Sequence, residues 1–124
     1  MISNNLFSLK GKAALVTGGS TGIGLMATVG LVSAGAKVFI VSRKLENCQN
    51  AAEELNNYDF EGEVIPFRGD LSSETGISDI TDEIYAQNSE LHILVNNAGR
   101  TWGSELSRFP YEAWAKVLNL NVSA

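Results

Sequence analysis

Thr17-Gly18-Gly19-Ser20-Thr21-Gly22-Ile23-Gly24 decides how the rest of the chain is read. It follows Ala13-Ala-Leu-Val-Thr17, a short apolar run that is partly β-branched. It precedes Ile23 to Ser33, where apolar residues recur at helical spacing. Strand, glycine-rich turn and helix in that order make an anion-binding device. Glycines 18, 22 and 24 permit positive φ and let a backbone approach a ligand with no Cβ in the way. The helix start beyond them offers N–H groups without carbonyl partners and the positive end of the helix dipole, which together favour a pyrophosphate. A second phosphate-binding reading fails on residue chemistry. Gly19 and Gly24 have P-loop spacing, but Leu25 and Met26 stand where Lys and Ser or Thr are required. No side chain there grips a β/γ-phosphate or holds magnesium.

Outward from this loop, strands and helices alternate. Val38-Phe-Ile-Val-Ser42, Glu63-Val-Ile-Pro-Phe67 and His92-Ile-Leu-Val-Asn96 are three further apolar runs. Near-continuous apolar strands suit a sheet covered on both faces, hence parallel pairing. Pro66 has no backbone donor, so the third strand is expected at an edge. Helices are expected over Ile23–Ser33 with Gly35 as a C-terminal cap, over Leu45–Leu55, and through Ile77, Ile80, Ile84 and Tyr85 after a cap at Ser72 or Ser73. A fourth begins near Pro110 and runs through Trp114, Val117 and Leu118. Right-handed crossovers then give an α/β fold, an open doubly wound parallel sheet of strand order 3-2-1-4. Ligands bind such sheets outside the carboxyl ends of strands 1 and 4, where the order reverses.

The composition suits such a fold. Residues 1–124 are expected to belong to one domain, with 44% apolar and 19% charged residues, enough to bury a core. Nine Lys and Arg against 14 Asp and Glu give a net charge of −5, which argues against nucleic acid or an anionic membrane as partner. Cys48, the one cysteine, can form no internal disulfide and supply no metal cluster, so no metal is expected. Met1 to Lys10 lacks the basic start and apolar core of a signal peptide, and no stretch approaches the ~20 apolar residues of a membrane span. A cytoplasmic protein is expected.

Two signatures carry a family resemblance. The spacing Thr-Gly-x-x-x-Gly-x-Gly at 17–24 and Asn96-Asn97-Ala98-Gly99 after the fourth strand together resemble the short-chain dehydrogenase/reductase family, whose fold is Rossmann-like. The resemblance implies a nicotinamide dinucleotide held by Gly18, Ser20, Thr21, Gly22, Ile23 and Gly24, with Asn97, Ala98 and Gly99 supporting the sheet and the cofactor site. Asp70-Leu71 matches the family position that contacts the adenine edge. Capping of the following helix is the other reading of Asp70.

The choice of nucleotide rests on the end of the second strand. An acidic residue about 20 positions beyond the glycines holds a ribose 2′-hydroxyl, whereas Arg accommodates a 2′-phosphate. Here Ser42-Arg43-Lys44 stands, with no carboxylate before Glu46. A carboxylate would repel the extra phosphate, and Arg43 could pair with it through two hydrogen bonds. NADP(H) is therefore expected in preference to NAD(H).

The family transfers hydride to carbonyls or from alcohols with a Ser, a Tyr-x-x-x-Lys pair and a supporting Asn. Asn121, 25 residues after Asn96 and inside the fourth helix, aligns with that Asn, whose backbone holds a water in the proton relay; Asn119 is the alternative. The Tyr-Lys pair is missing: Tyr58, Tyr85 and Tyr111 are followed four residues on by Gly62, Ser89 and Ala115. About half a family member is therefore expected here, inactive by itself, with an apolar fourth-strand edge prone to aggregation. Asn-Asn-Ala-Gly-Arg-Thr-Trp-Gly103, with Phe7-Ser-Leu-Lys-Gly11, resembles the 3-oxoacyl-acyl-carrier-protein reductases of the rhamnolipid type. That subgroup implies an acyl-thioester substrate, or another small molecule, and a homo-oligomer for the complete protein. Trp102 either borders the substrate mouth or packs under its loop. His92, the only histidine, is expected to be structural or solvent-facing. A non-catalytic nucleotide-binding or dimerising half-domain is the other class of reading.

Overall fold

The structure is a computed structural model that describes residues 6–124, so the signal-peptide reading of Met1–Lys10 lies partly outside the described residues. Four parallel strands, β1 (Ala13–Thr17), β2 (Lys37–Ser42), β3 (Glu63–Arg68) and β4 (Ile93–Val95), form one sheet of order β3-β2-β1-β4. Helices α1 (Gly22–Ser33), α2 (Leu45–Asn56) and α3 (Glu74–Gln87) connect them, and α4 (Tyr111–Leu118) follows β4. The strand order and the parallel pairing agree with the sequence pattern.

Alternation along the strands builds two cores. Ala14, Val16, Val38, Ile40 and Val64 pack on one face with Val32 of α1 and Cys48, Ala51, Ala52 and Leu55 of α2. Ala13, Leu15, Phe39, Val41 and Phe67 pack on the other with Ile80 and Ile84 of α3, and the Phe39 and Phe67 rings stack at 5.6 Å. Because both faces are covered, consecutive strand residues are all apolar.

Local signals set the helix ends. Gly35, at φ 98°, closes α1: its N–H bonds to Val32 O at 3.0 Å, and the Ala36 N–H to Leu31 O at 3.1 Å. That pair of bonds is a Schellman motif. Ser73, not Ser72, caps α3 by accepting the Gly76 N–H at 3.1 Å. α4 differs from the expectation of one regular helix. Asn119–Ser123 continue it as a wider π-helical turn, so Asn121 sits on that turn. Trp114 and Leu118, through which the helical period runs, are exposed, and Ala113 is the buried residue of α4.

His92 occupies the amino-terminal side of the sheet. Its Nδ1 accepts the Ala13 N–H at 3.0 Å, its own N–H bonds to Ala13 O at 2.9 Å, and its Nε2 lies 3.0 Å from Glu90. It joins the starts of β1 and β4, the structural role expected of it.

Candidate nucleotide site

The β1–α1 loop and the residues after β4 are held together by one side chain. Thr17, at the end of β1 and only 7% exposed, accepts the N–H groups of both Asn97 and Ala98 at 2.9 Å through Oγ1 and donates to Val95 O at 3.3 Å. Asn97 returns the contact, its Nδ2 donating to Thr17 O at 3.0 Å and Gly18 O at 3.3 Å. The Gly18 N–H in turn bonds to Val41 O of β2 at 2.9 Å. Three strand ends thus share one hydrogen-bonded cluster.

Two glycines are required for this closeness. Gly18 sits at φ 64°, where a Cβ would lie 3.0 Å from Asn97 Nδ2 and 3.3 Å from Ala98 Cα. Gly24 corrects the expectation of positive φ. It is a helical residue, and a Cβ there would collide with Gly18 O and lie 2.5 Å from Asn97 Nδ2. Its service is close packing of α1 against the loop.

Above the strand ends lies a cleft of about 690 Å³, within the ordinary range for a small-molecule site. Gly18, Ser20, Thr21, Arg43, Asp70, Leu71, Asn97, Ala98 and Gly99 line it together. Gly22, Ile23 and Gly24 form the opening turn of α1 and are not part of the lining. That turn has no acidic residue and no side-chain cap, and the first intrahelical bond is Leu25 N–H to Thr21 O. Its leading N–H groups therefore remain available to an anion.

Asp70 does not cap α3. Its Oδ1 accepts the Ser72 hydroxyl at 2.6 Å and the Ser72 N–H at 3.0 Å, which makes a turn ahead of the Ser73 cap. The Ser72 hydroxyl, and then the Ser72 N–H, hold the carboxyl below the usual aspartate value of 3.8, with smaller help from the positive charges of Arg43 and Arg100.

Asn121 lies outside this lining and borders a second, apolar cavity of about 390 Å³ between β4, α3 and the π-helical turn. Its Oδ1 accepts the Arg100 N–H at 2.9 Å and its Nδ2 donates to Arg100 O at 3.1 Å, so it clamps the loop directly after Gly99. Trp102 lines neither cavity; the Lys116 ammonium lies 5.3 Å from its ring centroid. The sequence reading gave no site role to Arg100 or Asn47 and named Lys44 only beside Arg43; all three line the main cleft. A cation immediately after Asn-Asn-Ala-Gly was the available signal for Arg100.

The family model for short chain dehydrogenases matches residues 12–124. The chain belongs to the short chain dehydrogenase family. Among its relatives, the rhamnolipids biosynthesis 3-oxoacyl-[acyl-carrier-protein] reductase of Pseudomonas aeruginosa is 46% identical over 95% of this chain and 45% of that protein. A 2-dehydro-3-deoxy-D-gluconate 5-dehydrogenase of Bacillus subtilis is 38% identical over 98% of this chain and 46% of its own length. Among solved structures, the Pseudomonas aeruginosa RhlG/NADP active-site complex superposes with a TM-score of 0.87 at 45% identity, over 98% of this chain and 46% of that one. The L-sorbose reductase of Gluconobacter frateurii, complexed with NADPH and L-sorbose, gives 0.87 at 28% identity, over 94% and 44%. The chain spans about half the length of the family members it matches.

Proposed function

We propose that residues 1–124 are the cofactor-binding portion of an NADP(H)-dependent short-chain oxidoreductase that reduces a carbonyl, such as that of a 3-oxoacyl thioester. The observation that carries this reading is the cleft itself. It joins a glycine loop, an uncapped helix start, Arg43 and the Asn97-Ala98-Gly99 segment at the switch point of a family-typical sheet. The residues fit a dinucleotide: the Gly18 position has no room for a Cβ, and the cleft has donors for phosphate and an acceptor in Asp70 for an adenine amino group. Gly18, Ser20, Thr21 and the opening turn Gly22-Ile23-Gly24 are assigned to the pyrophosphate, Arg43 to the ribose 2′-phosphate, and Asp70 and Leu71 to the adenine. Asn97, Ala98 and Gly99 are assigned to the wall beside the adenosine.

NADPH, when bound, supplies a hydride to a carbonyl carbon. The proton for the carbonyl oxygen needs an acid, and no tyrosine in these 124 residues has a lysine four positions on. Asn121 is assigned to positioning the loop beside the cofactor and to the proton relay of the longer protein. The 3-oxoacyl substrate is supported by the 46% identity to the Pseudomonas aeruginosa reductase.

Titrating the chain with NADPH and with NADH, followed by fluorescence, tests this reading. NADPH should bind at least about tenfold more tightly, because the 2′-phosphate adds charge-assisted hydrogen bonds. Added acetoacetyl-coenzyme A should cause no loss of NADPH absorbance. Failure to bind either nucleotide overturns the proposal. Binding with turnover overturns the assignment of catalysis to residues beyond these.

A further inference from the structure

The loops after β2 and β4 leave the sheet on opposite sides of β1, yet both line one wall system of the main cleft. Four charged residues line it: Arg43 and Lys44 after β2, Arg100 after β4, and Asp70 after β3. Three cations against one carboxylate is the reverse of the whole chain, which carries −5. None of the three makes an ion pair among the described residues. The single carboxylate already accepts two bonds from Ser72. Arg100 is half-buried, and the Asn121 amide fixes its backbone on both the N–H and the carbonyl side. A cation held on a clamped backbone beside an anion-seeking cleft loses little freedom on engaging a ligand.

We propose that Arg100 is a second cofactor-selectivity residue, acting with Arg43 from the other side of the cleft to favour an adenosine nucleotide that carries an extra phosphate on its ribose. This rests on the cleft being the nucleotide site proposed above. Arg100 lines the same cleft as Arg43 and Asp70, which brings its positive charge into the site assigned above to the adenosine end. A pyrophosphate role for Arg100 makes a different prediction, because NADP+ and NAD+ share the pyrophosphate and differ only in the 2′-phosphate.

Arg100→Gln, Arg100→Lys and Arg43→Gln in the intact chain, titrated with NADP+ and NAD+ by calorimetry, separate these roles. Arg100→Gln should weaken NADP+ roughly tenfold and change NAD+ less than about twofold, the size expected for one lost charge-assisted contact. Arg100→Lys should restore most of the preference, and Arg43→Gln sets the scale. Equal weakening of both nucleotides, or no change in either, overturns the role of Arg100 while leaving the NADP(H) reading intact. Wild-type chain that does not prefer NADP+ removes both. Circular dichroism melts within about 2 °C of wild type show that a lost preference is not lost folding.

Discussion

Thr17 does more than its place at the end of a strand suggests. A strand-end Thr is ordinarily a β-branched residue on a pleat, but here its hydroxyl is the acceptor for two consecutive N–H groups of the second signature. Thr17→Val keeps the shape and removes that acceptor, leaving two part-buried donors unsatisfied. The expected loss is about 2 kcal/mol in urea unfolding, with nucleotide binding weakened as well because the cleft wall is displaced. Unchanged stability would show that water replaces the hydroxyl. Asp70 makes a prediction of the opposite kind, visible only in acid. Its carboxyl titrates below 3.8 when folded, held there first by the Ser72 hydroxyl, so its charge adds stability above the unfolded value of about 3.9. That contribution disappears as pH falls through the folded value. Asp70→Asn keeps an oxygen acceptor and removes the titration. The difference in urea midpoint between wild type and variant should therefore be flat from pH 5 to 8 and change as pH falls below about 5.

At the scale of elements, β3 shows how an edge is protected. Asn56, at the end of α2, donates from Nδ2 to Val64 O at 2.9 Å and accepts the Val64 N–H through Oδ1 at 2.8 Å. Val64 therefore turns both backbone groups away from β2, and Pro66, two residues on, has no N–H to present on that same side. Together they blunt the edge against pairing with another chain. Asn56→Ala should lower stability by about 1 kcal/mol and increase concentration-dependent light scattering, whereas Asn56→Gln, one methylene longer, should restore neither bond fully. Pro66 made the edge legible in the sequence; Asn56 did not, because a polar residue at a helix end reads as solvated surface. The same distinction runs through the site. The Gly18 loop and Asn97-Ala98-Gly99 were readable because backbone closeness demands particular residues. The Asn121 clamp on Arg100 was not, because it joins residues 21 apart in the chain, which no local spacing encodes. The π-helical turn at Asn119–Ser123 was equally hidden: the apolar period through Trp114, Val117 and Leu118 describes a regular helix up to the point where it widens.

At the scale of the whole molecule, the two cores are unequal in their cover. α1 contains no charged residue in its 12 positions, and while Gly24, Thr28 and Val32 are buried, Ile23 is 77% exposed and Met26 72% exposed. A helix apolar on all sides is expected to be buried on all sides. On the opposite face, Leu94 of β4 is 55% exposed beside the apolar cavity, and among the described residues β4 pairs only with β1. No helix among the described residues is long and apolar enough to cross a membrane. What opposes association of these surfaces is the net charge of −5 at pH 7, which vanishes near the isoelectric point of about 4.8. Apolar attraction varies little over that pH range, so repulsion decides the outcome. The 124-residue chain should bind 8-anilinonaphthalene-1-sulfonate, elute above its 13.3 kDa monomer mass near pH 5, and shift toward monomer at pH 8 and low salt. Met26→Gln with Leu94→Gln leaves the charge unchanged and removes part of the apolar surface. It should reduce both dye binding and association at every pH. Monomeric, dye-silent wild type at pH 5 would mean that the α1 and β4 surfaces are too dispersed to act as patches, and the aggregation liability read from the fourth strand would fall with it.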